Sequence, residues 1–270
     1  MIPTTAGAAP FLKWAGGKRR LLPALLPHVP PSFNVYREPF VGGGALYFAL
    51  RPTGGAVLSD ANARLVRTYR AVRDDVEGVI ETLQRMPASP EYYGTVRGFP
   101  VDELRDVDLA AWMLYVNRHG FNGLYRVNRA GQFNVPYGGN GPIDPAVLHA
   151  ASLALQGTTI NAGDFEHAVD DAAAGDFCYC DPPYVPVTKT ASFTGYCPGG
   201  FGYAEQLRLR DAARRAVARG VHVVCSNSDT PTTRELYWDF RLYEVTARRS
   251  VAANGAKRGH ANELIIVGAP

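Results

Sequence analysis

Near the middle of the chain, Asp181-Pro182-Pro183-Tyr184 follow the apolar run Phe177-Cys178-Tyr179-Cys180. A short apolar run that ends in turn residues reads as a buried strand. The end of a strand in an open α/β sheet is where such folds bind ligands. Two consecutive prolines stiffen the backbone and remove its N–H donors, so that only carbonyl acceptors remain. A carboxylate and a bare carbonyl can then accept from the same amino group, and the following aromatic ring supplies a stacking face. This combination suits an exocyclic amine on a flat ring. The same tetrapeptide also occurs as an ordinary rigid turn, so its meaning depends on what surrounds it.

Two further groups share that chemistry. Residues 35–39 read as a strand leading into Gly42-Gly43-Gly44, residues 45–50 as a helix, and residues 56–59 as a strand ending at Asp60. Consecutive glycines let the backbone approach a ligand closely, and an acid at a strand end commonly accepts from ribose hydroxyls. Asp60 reads equally as a turn acid. The glycines do not form a dinucleotide GxGxxG, and Gly16-Gly17-Lys18-Arg19 lacks the Ser or Thr of a phosphate-binding loop. Gly163-Asp164-Phe165 follows a strand over 158–161; as local structure alone, Asp164 is a helix N-cap and Phe165 a core aromatic. Trp14 reads as core.

These groups need an α/β framework to position them. Strands over 176–180 and 221–225 and helices over 18–27, 144–154 and 203–219 continue the alternation, and 241–247 with 261–267 form an antiparallel hairpin around a basic loop. The expected architecture is a mostly parallel sheet with helices on both faces and an antiparallel C-terminal hairpin. Residues 63–142 differ in texture: a helix over 63–86, another over 109–117, then a stretch over 118–143 dense in Gly, Asn, Arg and aromatics. That stretch is too long for a connector and reads as a structured loop or hairpin. The expected organisation is a catalytic domain over 1–62 and 143–270 interrupted by a mainly helical subdomain over 63–142. Residues 185–203, rich in Gly, Thr and aromatics, read as a surface loop or a lid.

Composition narrows the class. The chain has 270 residues, 46% hydrophobic and 20% charged, within the ordinary globular range. Cys178, Cys180, Cys197 and Cys225 have neither disulfide-framework nor zinc spacing, so small buried residues and no metal are expected. No run approaches a membrane span and no signal peptide is evident, so a cytoplasmic protein is expected. The net charge of +3 is small, but its distribution is uneven. Residues 1–37, 109–143 and 245–262 carry Arg and Lys without a single acid. Three such segments suit a polyanion-facing surface or plain solvated charge.

Beyond these local readings, the chain resembles the Dam family of DNA adenine-N6 methyltransferases (D12 class, alpha group). The resemblance runs in order through Phe11–Lys18, Glu38–Ala45, Ser59–Asn62, Asn117–Arg126, Gly131–Pro136, Gly163–Phe165, Asp181–Tyr184 and Ser226–Asp229. It implies a Rossmann-like methyltransferase fold with a target-recognition subdomain, S-adenosyl-L-methionine as cofactor, double-stranded DNA as partner and a bacterial or phage origin; a monomer is expected because one adenine is modified per encounter. The implied cofactor residues are Trp14, Lys18, Phe40, Gly42, Gly43, Gly44, Asp60, Asp164, Phe165 and Asp181. The implied catalytic residues are Asp181, Pro182, Pro183 and Tyr184. The target adenine must leave the duplex, because its amino group is paired and stacked there. Tyr184 would stack on it while Asp181 and the Pro182 carbonyl accept from N6. The implied chemistry is direct methyl transfer, with no metal and no covalent enzyme intermediate.

For target reading, the resemblance points to Arg118, Phe121, Asn122, Leu124, Arg126, Arg129, Asn134 and Pro136. Arg126 is the candidate for a guanine contact, since arginine pairs bidentately with guanine in the major groove. Phe121, Asn122 and Leu124 would invade or flank the extruded pair, and Arg118 and Arg129 would alternatively touch phosphates. The chain departs from the family at Gly139-Asn140-Gly141-Pro142, where GATC-specific members often carry basic and aromatic residues. The expected target is therefore GATC or a related short palindrome. Two other readings compete: an amino-methyltransferase acting on cytosine N4, RNA or protein glutamine, and a DNA-binding relative without catalysis. Asp181 and residues 117–136 argue against the first, and the intact DPPY and glycine segments against the second.

Overall fold

The computed structural model describes residues 7–186, 200–248 and 260–270. The chain divides into two compact units. One comprises residues up to Gly17, Gly42–Arg51 and Asn62–Ala162; the other comprises Lys18–Val41, Pro52–Ala61 and Gly163–Pro270.

The second unit holds the sheet strands β1 (Tyr36–Glu38), β2 (Ala56–Asp60), β4 (Phe177–Cys180), β5 (His222–Ser228), β6 (Arg241–Arg248) and β7 (His260–Gly268). Within this unit the strands lie in the order β2-β1-β4-β5-β7-β6. β1 pairs in parallel with both β2 and β4, and β4 in parallel with β5. β7 runs antiparallel between β5 and β6, so the expected C-terminal hairpin is present. All four residues of β4 are buried, as a central strand covered on both sides requires. After β1 the chain goes to β2 on one side and later returns as β4 on the other. The carboxyl ends of β1 and β4 are therefore a topological switch point, and Asp181 is the first residue beyond β4.

Buried Asp176 fastens the opposite ends of these two strands. It accepts from the Val35 and Ala173 backbone N–H groups and from Arg37 Nε at 2.7 Å. One face of the sheet presents Cys178, Cys180, Val223, Cys225, Leu264 and Ile266. Against it pack α8 (Phe165–Asp170) through Val169, α9 (Tyr203–Ala218) through Leu209 and Ala213, and α10 (Pro231–Leu236) through Leu236. Cys178, Cys180 and Cys225 are buried free thiols; Cys197 lies outside the described residues. In place of the single helix expected over 18–27, Lys18–His28 form two 3-10 turns around a single short α-helix, α1 (Leu22–Leu25). Prolines 23 and 27 each start a new segment there.

The first unit is mainly helical: α2 (Ala45–Leu50), α3 (Ala63–Asp74), α4 (Val76–Gln84), α5 (Pro90–Val96), α6 (Asp106–His119) and α7 (Pro145–Leu155), with the short strand β3 (Thr159–Ala162). The expected single helix over 63–86 is broken at Asp75. That residue leaves helical geometry (φ −146°, ψ 64°), and its carboxylate accepts from the Gly78 N–H, capping the second helix. α6 starts three residues before the expected position; ten of its residues, from Leu109 to His119 with Arg118 as the exception, are buried and leave almost no exposed face.

Three buried or half-buried histidines set a pH dependence of stability. Burial holds the imidazoles of His28, His119 and His222 below their ordinary pKa, and in His28 the neighbouring His222 adds to it. The folded state thus favours neutral rings, and the unfolded chain binds more protons below about pH 6.5. Stability from these groups is complete above that value and is lost as pH falls through the depressed folded values. The melting temperature should therefore decline between about pH 7.5 and 5.5, with a shallower decline for His222→Gln. A flat profile over that window would show that the rings contribute nothing.

Candidate active site

The DPPY segment is gripped from four places, all within the second unit: the turn at Lys18, α9, β5 and β7. Asp181 Oδ1 accepts from Ser226 Oγ of β5 at 2.7 Å and pairs with the Lys18 ammonium at 2.8 Å. Ser226 is itself fully buried and in contact with the Tyr179 hydroxyl at 3.1 Å. No hydrogen bond among the described residues ends on Asp181 Oδ2, so one carboxylate oxygen is engaged and the other open. The two proline carbonyls divide similarly. The Pro183 carbonyl accepts from Gln206 Nε2 at 2.8 Å, whereas no hydrogen bond among the described residues ends on the Pro182 carbonyl.

Tyr184 is fixed at both ends. Its hydroxyl donates to Glu263 of β7 at 2.9 Å, and the Lys18 ammonium lies 4.5 Å from its ring centroid, within cation–π range. Burial first, then the Asp181 and Glu263 carboxylates, pushes the phenol well above its ordinary pKa. The ring therefore stays neutral and serves as a donor to Glu263 and a flat face. Lys18 is only 8% exposed, and its charge is met by both Asp181 and the ring.

The residues after β1 and β3 form a second cluster in the same unit. Phe40 stacks on Phe165 (centroids 5.2 Å, planes 25° apart), and Phe201 meets both rings. Asp164 caps α8 by accepting from the Glu166 N–H at 2.9 Å and also accepts from Arg208 at 2.8 Å; the Arg208 guanidinium lies 5.0 Å from the Phe165 ring centroid. The N-cap reading of Asp164 thus holds as local structure. The Gly163 N–H donates to the Asp60 carbonyl at 3.1 Å, which sets Asp60 and Asp164 beside one another at adjoining chain ends.

In the first unit, Gly42 and Gly44 adopt φ of +46° and +65°, the left-handed region where a Cβ is strained. A Cβ on Gly42 would sit 2.8 Å from Trp14 Cδ1, and Tyr69 donates its hydroxyl to the Gly42 carbonyl at 3.0 Å. Trp14 in turn stacks on Tyr125 at 5.1 Å. Trp14 and the glycine turn are therefore one packed group, with no space for a side chain at Gly42.

The arginine-bearing stretch is a hairpin. Antiparallel bridges join Gly120 to Tyr137 and Val127 to Phe133. The turn is built by Asn128, whose Oδ1 accepts from the Ala130 and Gln132 N–H groups. Tyr125, Phe133 and Val135 are buried, while Phe121 (52% exposed), Asn122, Arg126, Arg129 and Pro136 face outward. Asn122 takes φ +57° in the turn between α6 and the hairpin, and half-buried Leu124 follows it. Arg126 Nε donates to Asn134 Oδ1 at 2.7 Å, so two of the expected target-reading residues hold each other across the strands. Arg118 instead donates to the Gly141 carbonyl at 2.6 Å, and Asn140 donates back to the Arg118 carbonyl. Gly139–Pro142, the stretch that departs from the family, is thus folded onto Arg118.

Several supporting residues carried no local signal. Gln206 and Glu263 are single polar residues within apolar or mixed surroundings, and Asn117, which opens the segment Asn117–Arg126, has no role of its own in the sequence reading. Asn117 accepts from the Lys13 N–H and donates to the Lys13 and Gly123 carbonyls, which ties the N-terminal segment to the start of the hairpin. At 3% exposure this buried amide needs its partners, a requirement that only the folded structure reveals. Among the described residues there is no group of three or more His, Cys, Asp or Glu placed to hold a metal, and no helix long and apolar enough to cross a membrane.

Comparison with known proteins identifies the family. The sequence matches the family described as D12 class N6 adenine-specific DNA methyltransferase over residues 14–251. It is 42% identical over 268 residues to Type II methyltransferase M1.LlaDCHI of Lactococcus lactis subsp. cremoris, covering 95% of this chain and 94% of that protein. It is 36% identical over 273 residues to Type II methyltransferase M.MjaIII of Methanocaldococcus jannaschii, covering 92% and 94%. It is 34% identical over 268 residues to the DNA adenine methylase of Haemophilus influenzae, covering 96% and 93%. An engaged carboxylate beside an open carbonyl, a gripped aromatic ring and these matches lead to one conclusion: the chain belongs to the D12 class of N6 adenine-specific DNA methyltransferases.

Proposed function

We propose that this protein methylates N6 of an adenine flipped out of duplex DNA, within GATC or a related short palindrome, with S-adenosyl-L-methionine as donor. The observation that carries the reading is the pair of open acceptors at the DPPY segment, Asp181 Oδ2 and the Pro182 carbonyl, beside the fixed Tyr184 ring. An exocyclic amine has two protons to donate and one lone pair to expose. Two acceptors holding both protons draw the lone pair out of ring conjugation and aim it. Tyr184 stacks on the base, and Asp181 stabilises the charge that develops on N6 and accepts its proton. Positioning supplies much of the rate for an in-line transfer.

The residues present suit the donor molecule. Acids at adjoining chain ends (Asp60 and Asp164) match a ribose and an adenine, and the stacked Phe40 and Phe165 provide a flat apolar wall. The turn at Gly42–Gly44, packed on Trp14, suits close approach to an amino-acid end, and Lys18 is the cation for a carboxylate or for the reacting site. When bound, S-adenosyl-L-methionine supplies an electrophilic methyl group. In the recognition region over 63–142, Arg126 and Asn134 would read bases, with Phe121, Asn122, Leu124 and Pro136 at the extruded pair and Arg129 on phosphate. Arg118, folded against Gly141, would serve mainly to shape that loop.

The test is expression in a host that lacks adenine methylation, followed by sequencing that reports modified bases directly. N6-methyladenine at every GATC is the expected result. Methylation in another motif would move specificity to Gly139–Pro142 and leave the chemistry intact. A protein that binds cofactor and duplex but leaves every base unmodified would overturn the reading.

A further inference from the structure

Two fully buried amides stand behind the DPPY segment with no part in the chemistry described so far. Gln206 is 0% exposed and Asn227 1%. Asn227 Oδ1 accepts from the Val185 backbone N–H at 3.0 Å and from its neighbour Ser228 N–H at 2.9 Å. Asn227 Nδ2 donates to Gln206 Oε1 at 3.1 Å, and Gln206 Nε2 donates to the Pro183 carbonyl at 2.8 Å. The orientation of an amide is normally inferred from its neighbours; here the neighbours leave no choice. Two backbone N–H donors require oxygen at Asn227 Oδ1, hence nitrogen at Nδ2, hence oxygen at Gln206 Oε1 and nitrogen at Nε2. The relay therefore begins at the Val185 N–H and ends at the Pro183 carbonyl, clasping the backbone on both sides of Tyr184. Ser228 Oγ adds a donor to the Val185 carbonyl.

We infer that Gln206 is a positioning residue for methyl transfer. By holding the Pro183 carbonyl inward, it leaves the Pro182 carbonyl as the acceptor presented to the target amine. The inference rests on the proposed reading of the site. The geometry favours it over a merely structural role for a specific reason. The proline ring locks φ at Pro183, so only ψ of that residue separates the directions of the Pro182 and Pro183 carbonyls, and holding one restrains the other. Gln206 lies in the first turn of α9, whose N-terminus is held by Glu205 accepting from the Gly202 N–H at 2.7 Å, so the donor is anchored in a helix rather than a loop.

Two near-isosteric variants test this in the full-length protein. Gln206→Met removes the donor at similar volume and should lower kcat at least tenfold at every pH, with KM for S-adenosyl-L-methionine and duplex affinity changed less than threefold. Gln206→Glu keeps the acceptor for Asn227 but sets a second oxygen against the Pro183 carbonyl. Protonation of that buried carboxyl restores a donor, so its kcat relative to wild type should recover as pH falls. A structural role would not create that inverted pH profile. The inference is overturned if both variants keep wild-type kcat, or if both lose kcat with no recovery of Gln206→Glu at low pH. If Gln206→Met fails to fold, the Gln206→Glu profile alone decides. Wild-type protein that methylates no adenine would instead remove the underlying reading, so the two failures are distinguishable.

Discussion

Replacing Asp181 with asparagine should reduce methylation by roughly 10²–10³-fold or more, the scale on which loss of one preorganised stabilising group lowers kcat. Asparagine keeps one oxygen for the Ser226 hydroxyl and the Lys18 ammonium, both of which meet Oδ1 in the native protein. Its NH2 group must then occupy the position of Oδ2, so that two donors face each other where the target amine should enter. The substitution also removes the negative charge that, in the proposed reaction, stabilises developing positive charge on N6. Asp181→Ala should be at least as inactive and less stable, because the Lys18 ammonium, 8% exposed, loses a carboxylate 2.8 Å away and removing one member of a buried ion pair is unfavourable. Single-turnover kinetics with saturating cofactor, read beside the melting temperature, separate these effects. A folded Asp181→Asn enzyme within tenfold of wild type would mean that the carboxylate is not the acceptor for N6.

Replacing Arg126 with alanine should lower kcat/KM on the target duplex by roughly 10–100-fold, since a bidentate arginine–guanine contact discriminates by about 1–3 kcal/mol. The guanidinium is already oriented. Its Nε donates to Asn134 Oδ1 at 2.7 Å and its Nη2 lies 3.3 Å from the Asn134 carbonyl, which leaves the Nη edge for a base. Less side-chain freedom is therefore lost on binding than for an unrestrained arginine. Asn134→Ala should reproduce part of the loss through a mobile Arg126. The decisive comparison is between the cognate duplex and duplexes altered at one position. Relaxed discrimination at a single base pair supports base reading. An equal loss on every duplex, with a shallower dependence on salt, would assign Arg126 to phosphate.

Much of the framework was legible in the sequence because the governing interactions are local. An apolar run ending in Pro-Pro places Asp181 at a strand end, and consecutive glycines before a helix start anticipate the positive φ values at Gly42 and Gly44. The hairpin after α6 follows from turn residues between buried aromatics. Two further helices, α5 and α10, carry local start signals that hydrophobic periodicity does not report: Ser89-Pro90 and Thr230-Pro231 each supply an N-cap followed by proline. The break at Asp75 is subtler. The apolar pattern continues through it, so hydrophobic periodicity alone reports one helix where the capping carboxylate makes two.

What the sequence by itself determined, then, is the α/β alternation and the family to which its ordered motifs belong. Only the tertiary structure decided which acceptors at Asp181–Tyr184 are engaged and which stay open. Gln206 meets Pro183 from 23 positions away, Asn227 meets Val185 from 42, and Glu263 meets Tyr184 from 79. Hydrophobic patterning and turn chemistry specify where backbone is buried and where it reverses. They do not specify which distant donor satisfies a buried carbonyl, because that pairing depends on strands and helices that meet only once the sheet has assembled.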